Sequence, residues 1–227
     1  MRHASHLRPG GFRIFLMAGG LVLSGALGGC SSEGSSDVRS FLSVARLAFA
    51  PPQRVSIKQA SAIPYATIGI RIGGGPQAIG TLATDGAQRL WAIGAKVMIA
   101  TTREGQIQRT VGLPYNLSWM APLGPEASAP GRAGRRRSSS SADFADLATF
   151  SVTIQCEEIL FGNVRIAILG KPITTRRTNI RCEAPQLKWS FQNTYWTDPQ
   201  TGMVWKSIQH IHPKLDPIEI ETLRPPA

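Results

Sequence analysis

From residue 65 onward, hydrophobic and polar positions alternate in short runs broken by Gly, Pro, Asn and Asp. Period-two alternation between turn residues is the signature of half-buried strands. Runs at 67–72, 77–83, 89–93, 96–102 and 106–111 predict a first meander. Gly73-Gly74-Gly75-Pro76 and Glu104-Gly105 supply two of its turns. A glycine-rich phosphate loop would need a following helix with Lys-Ser/Thr, and none follows. Runs at 148–158, 164–169, 173–181, 187–197, 203–211 and 218–223 predict a second set, with Phe161-Gly162-Asn163 as the turn between the first two. No helical run separates the strands, so βαβ units are excluded. The pattern is all-β, an antiparallel barrel or sandwich.

The period is different before residue 65. Val38, Phe41, Leu42, Ala45 and Phe49 fall at helical spacing, with Ser36 as a cap and Pro51-Pro52 as a stop, which predicts a short helix over 37–50. A second helical turn is expected at 56–61, ended by Ile63-Pro64. Further upstream, Arg8 and Arg13 precede an apolar run from Ile14 to Leu27 that ends in Leu27-Gly28-Gly29-Cys30. A basic start, a short apolar run and small residues at the cut form a secretory signal. The run is too short and too rich in glycine for a membrane span of about 20 apolar residues. Leucine and two small residues before a cysteine are similar to a bacterial lipobox, in which the cysteine is acylated and becomes the new N-terminus. Cys30 is then a lipid anchor, with Ser31 to Ser36 as a tether. Ser31, where an aspartate would act as a retention signal, points to the periplasmic face of the outer membrane by resemblance to enterobacterial sorting. The expected organisation is a signal at 1–29, a lipidated tether with helices at 30–62, and an antiparallel β domain at 63–227.

Within the β domain the composition shifts at 121–142, where Pro, Gly, Ser and the arginines Arg132, Arg135, Arg136 and Arg137 replace the apolar residues. That stretch is expected as a long mobile loop. The whole chain of 227 residues has a formal charge of +11, and removal of the signal leaves 22 basic and 14 acidic residues. In an exported protein this balance suits anionic lipid or acidic polysaccharide rather than nucleic acid as a partner, or serves solubility alone.

Cys156 and Cys182 fall in predicted strands. In an oxidising compartment they can form a disulfide, which is slightly favoured over two buried free thiols. Trp189, Phe191, Tyr195, Trp196 and Trp205 share one predicted hairpin, turned by Asp198-Pro199-Gln200-Thr201-Gly202. If Thr197 pairs with Met203, Tyr195 opposes Trp205 on the face that carries Trp189, and Trp196 lies on the other. That aromatic face is a barrel core or a sugar-stacking platform, with burial the stronger of the two. Trp189, Tyr195, Trp196 and Trp205 are therefore the candidate glycan contacts. His210 and His212 sit two apart on a strand and would point the same way, but no spaced set of further ligands supports a metal site. Glu157 and Glu158 are adjacent and face opposite sides, and no nucleophile motif occurs, so nothing points to an enzyme or to a cofactor.

Two regions carry a family resemblance. Ile63-Pro64-Tyr65-Ala66, Arg71-Ile72-Gly73, Gly75-Pro76-Gln77-Ala78 and Ile168-Leu169-Gly170-Lys171-Pro172 form the first. The second, more specific, runs from Trp189-Ser190-Phe191-Gln192-Asn193-Thr194-Tyr195-Trp196 through Asp198-Pro199 and Thr201-Gly202 to Trp205-Lys206-Ser207 and Gln209. Together they resemble the YjbF family, the group 4 capsule (GfcB-type) lipoproteins. The resemblance implies a single β-barrel on an outer-membrane lipid anchor. It also implies a binding or scaffolding part in assembly or export of capsule or exopolysaccharide, with polysaccharide or its export proteins as partners. Two other functions compete. One is a periplasmic carrier holding a lipid or acyl chain in the barrel, and the other is a polysaccharide-modifying hydrolase.

Overall fold

The computed structural model describes residues 53–122 and 136–226. Cys30, the signal, the helix expected at 37–50 and residues 123–135 lie outside the described residues.

A short helix, α1 (Ile57–Ser61), opens the described chain. Ser56 caps it, and the Gln59 side chain reaches back to the Ser56 backbone in a capping box. Twelve strands follow. The first meander is β1 (Thr67–Ile72), β2 (Ala78–Asp85), β3 (Arg89–Ile93), β4 (Val97–Thr101) and β5 (Ile107–Val111). Then come β6 (Trp119–Pro122), β7 (Arg136–Phe144), β8 (Thr149–Ile168) and β9 (Lys171–Ala184). The chain ends with β10 (Trp189–Thr197), β11 (Val204–Gln209) and β12 (Ile218–Arg224).

All pairings are antiparallel, in the order β5-β4-β3-β2-β1-β12-β11-β10-β9-β8-β7-β6. The two edge strands approach each other where Thr110 N–H donates to Leu117 O at 2.9 Å and Leu117 N–H donates to Thr110 Oγ1 at 2.9 Å. These bonds nearly close the sheet into a barrel and hide most of its edges. Alternation along each strand sends Ile68, Ile70, Trp91, Ile99, Ile107, Ile218 and Ile220 to the interior.

Three expectations change. The stretch 121–142 is not one loop, because Arg136–Phe144 forms β7 and 121–122 end β6. Backbone pairing to β8 holds this serine-rich strand, and only Ala142 and Phe144 of its length are buried apolar residues. Phe161-Gly162-Asn163 is no turn: β8 runs straight through, with a bulge between Leu160 and Gly162. In the aromatic hairpin Thr197 pairs with Val204, and Tyr195 opposes Ser207. The turn is one residue longer than expected, because Asp198 N–H donates to Met203 O at 2.7 Å. Gly202 takes φ +74° within it, and Trp205 takes the extra place in a bulge on β11.

Candidate functional site

The barrel interior is filled except at one end of β7–β10, which is hollow. Small side chains cause the hollow. Facing inward from β7 are Ser138 and Ser140, from β8 Cys156, and from β9 Thr178 and Cys182. Register sets Ser138 opposite Cys156, and Cys156 opposite Cys182. The structure joins Cys156 to Cys182 with an S–S distance of 2.07 Å. A covalent tie thus stands where the wall has little bulk to pack. Against these small residues lies a cavity of about 510 Å³, within the range of small-ligand sites.

The adjoining lining comes from the aromatic hairpin, whose Phe191 pairs directly with Cys182. Trp189 and Phe191 stack on each other, with centroids 4.0 Å apart. Both point inward, stay half-buried and border the cavity. Asn193, Tyr195 and Thr197 continue the same face, and Met120, Ile154 and Ile180 complete its apolar part. Glu104, Glu158, Arg136 and Arg137 also line it, so the charges balance.

Gln209 divides the filled part from the hollow. Its Oε1 accepts from Ile107 N–H at 2.9 Å and from the Tyr195 hydroxyl at 3.0 Å. Its Nε2 donates to Gly105 O at 2.8 Å and to Ser207 Oγ at 2.9 Å. One fully buried side chain on β11 therefore ties the β4–β5 turn to β10 across the interior. Gly105 allows that approach: its φ is +79°, and an added Cβ would stand 3.2 Å from Val204 Cβ. Burial pushes the Tyr195 phenol far above its ordinary range, against the pull of an Asn193 hydrogen bond, so the hydroxyl stays protonated as a donor.

The candidate residues separate. Trp189 and Tyr195 reach the cavity. Trp196 faces the outside, between Arg177 and Lys206, each 5.8 Å from its ring. Trp205 sits in the β11 bulge. His210 and His212 lie beyond the end of β11, so strand alternation does not align them. His210 lines the cavity beside Phe191, and its Nδ1 is buried with no hydrogen-bond partner. His212 is fully buried, stacked on Tyr115 and edge-on to Phe144. Its Nδ1 accepts from Lys214 N–H at 3.1 Å, and its Nε2 lies 3.1 Å from Asp146 Oδ2. Burial lowers both imidazoles below their usual range, for His212 against the attraction of Asp146. Among the described residues, no three His, Cys, Asp or Glu side chains converge as metal ligands.

A second polar cluster lies on the outer wall. Glu219 and Glu221 alternate with the inward Ile218 and Ile220, so they point away from the core, yet both are buried. Arg54 covers them, with Nη1 3.3 Å from Glu219 Oε1 and 2.8 Å from Glu221 Oε1. Lys206 Nζ bridges the same two carboxylates at 2.9 and 3.0 Å, and Arg71 pairs with Glu219. Gln77 donates to Glu221 at 2.9 Å and accepts from Val55 N–H at 3.0 Å. Ala167, Leu169 and Gly170 of the β8–β9 hairpin share a cleft with Arg54, Lys206 and Glu221, so the hairpin tip lies along this wall. Burial opposes ionisation of Glu219, but Lys206 and Arg71 outweigh it and hold the carboxyl down to about 2.

Sequence reasoning missed Gln209 as a hub, Ser138 and Ser140 as cavity wall, and the buried outer carboxylates. Gln209 and Glu219 could have been flagged by their positions beside buried isoleucines. The serines carry no signal, because Arg136-Arg137-Ser138-Ser139-Ser140-Ser141 has no hydrophobic period.

A family model described as group 4 capsule polysaccharide lipoprotein gfcB, YjbF matches residues 39–223. The chain belongs to this family. Its members include a relative in Escherichia coli (strain K12) described as uncharacterized lipoprotein GfcB. That relative is 25% identical over 207 residues, covering 88% of this chain and 94% of its own length. The crystal structure of the hypothetical lipoprotein YmcC from Escherichia coli (K12) superposes with a TM-score of 0.60. It is 23% identical and covers 88% of this chain and 100% of its own, a likeness of fold. Family membership and fold agree with the resemblance carried by the 189–209 hairpin. They associate the chain with capsule polysaccharide lipoproteins of the cell envelope.

Proposed function

We propose that this protein is an outer-membrane lipoprotein, anchored through Cys30 at the periplasmic face, that assists assembly or export of a capsule or exopolysaccharide by binding. The observation that carries this reading is a nearly closed barrel left hollow at one end of β7–β10, in a family of capsule polysaccharide lipoproteins. A barrel serving as a mere spacer would gain stability by filling its interior, at roughly 25 cal/mol per Å² of apolar surface. An open interior instead keeps surface available to a partner. The anchor would keep the barrel at the membrane through which polymer leaves. Acyl chains gain about 0.8 kcal/mol per buried CH₂, enough to make several chains a firm attachment.

A clean deletion of the gene tests this directly. Surface polysaccharide should fall in the deletion strain and return with the wild-type gene. Cys30→Ser should fail to restore it and should take up no labelled palmitate. Unchanged polysaccharide in the deletion strain would refute the proposal.

A further inference from the structure

We infer that the barrel cavity is a binding site for a short, neutral saccharide segment, an inference that rests on the polysaccharide role just proposed and names its ligand and its site. Volume alone does not choose the ligand, since about 510 Å³ also admits an alkyl chain. The chemistry of the lining does choose. Ser138, Ser140, Thr178, Asn193 and His210 bring hydroxyl, amide and imidazole groups to the same space as Trp189 and Phe191.

An alkyl chain in that space would strip water from the polar groups and return no hydrogen bonds. Each buried polar group so orphaned costs about 1–3 kcal/mol. Several such losses would offset much of what the chain gains by burial. A sugar ring answers both halves of the lining. Its hydroxyls donate to and accept from the serines, Thr178 and Asn193, and its C–H face lies on an aromatic ring. Phe191 and Trp189 present such a ring, fixed in place by their own stacking. Rigid aromatics with short polar neighbours lose little entropy on binding.

Charge narrows the class further. Glu104 and Glu158 stand against Arg136 and Arg137, giving no surplus of either sign. Burial also holds His210 toward its neutral form. In a site of balanced charge an acidic segment gains no net attraction to offset the cost of desolvating its carboxylate. A neutral sugar meets no such opposition.

The test uses the full-length lipidated protein in phospholipid nanodiscs. Probes are di- to hexasaccharides prepared from the strain's own surface polysaccharide, and palmitate as the acyl competitor. Tryptophan fluorescence and calorimetry read binding. Neutral fragments should bind and change the emission, and palmitate should neither bind nor displace them. Phe191→Ala should weaken saccharide binding by about tenfold or more, the scale of one lost aromatic contact. Thr178→Val keeps the side-chain shape and removes the hydroxyl; it should weaken binding several-fold with an unchanged melting curve. Palmitate binding without saccharide binding would overturn the inference, as would failure of every fragment to bind. Saccharide binding indifferent to both variants would overturn it too. The two proposals fail separately. If deletion abolishes surface polysaccharide while both variants restore it fully, the cavity site falls and the envelope role stands. If fragments bind and deletion leaves the polysaccharide unchanged, the reverse holds.

Discussion

The wall formed by β1–β5 and β12 and the wall formed by β7–β10 bury their inner faces by different means. On the first, isoleucines predominate: Ile68, Ile70, Ile99, Ile107, Ile218 and Ile220 meet around Trp91, with only a narrow gap of about 40 Å³ nearby. On the second, Phe144, Val152, Ile154 and Ala184 fill one end, while at the other Ser138, Ser140, Cys156, Thr178 and Cys182 face inward beside the rings of Trp189 and Phe191. Branched aliphatics fill a barrel to the density of an organic crystal, and small polar side chains cannot. The disulfide lies on the second wall, where side-chain packing is thinnest. A closed 26-residue separation constrains the unfolded chain by roughly 3 kcal/mol whether or not the native wall is well packed. One fold can therefore reserve one wall for stability and the other for a ligand, provided the second is braced by other means.

The comparison can be broken by truncating each side in turn. Ile99→Ala removes a side chain with no exposed surface and should cost about 2–5 kcal/mol in a denaturant titration. Ile180→Ala already borders empty space and should cost about 1 kcal/mol. Equal losses at the two sites would mean that the walls do not differ in packing.

Gln209→Leu tests the divider. It leaves Ile107 N–H and Gly105 O without their partners inside the barrel, and the loss should be about 1–3 kcal/mol for each group. The β4–β5 turn should also lose amide-exchange protection before the rest of the sheet. A stable variant with unchanged exchange at Ile107 would remove Gln209 from that role.

A smaller effect sharpens the contrast from outside the packed wall. Glu219 titrates near 2 in the folded protein, against 4.5 for the ordinary carboxyl. The depressed group stabilises the fold in full above about pH 4.5, and the contribution is lost as pH falls toward 2. Acid unfolding should show this loss, and Glu219→Gln should reduce the pH dependence within that window. Thr178→Val, inside the hollow wall, should leave the acid profile as it is.

Much of the sheet was legible in one dimension. β1 and β3 match the alternating runs at 67–72 and 89–93 to the residue, because their inward isoleucines and Trp91 set an unbroken period of two. The inward Trp189 and Tyr195 and the outward Trp196 follow from the same parity. Where a strand lacks apolar residues, as in β7, parity gives no signal, and pairing to β8 alone makes the strand. Where a bulge intervenes, as at Trp205 or after Leu160, local counting slips by one.

By itself the sequence determined the class of structure, the family and the faces of the apolar, unbulged strands, since alternation and short motifs are local properties that survive without a partner strand. Tertiary structure alone decided which wall is hollow, how Gln209 crosses the interior and why Glu219 and Glu221 are buried on an outer face. Those outcomes depend on residues up to 167 positions apart brought together by the β1–β12 pairing, by ring closure and by the β8–β9 hairpin lying along the wall. No period along the chain encodes such a meeting; it exists only once the sheet has curved back on itself.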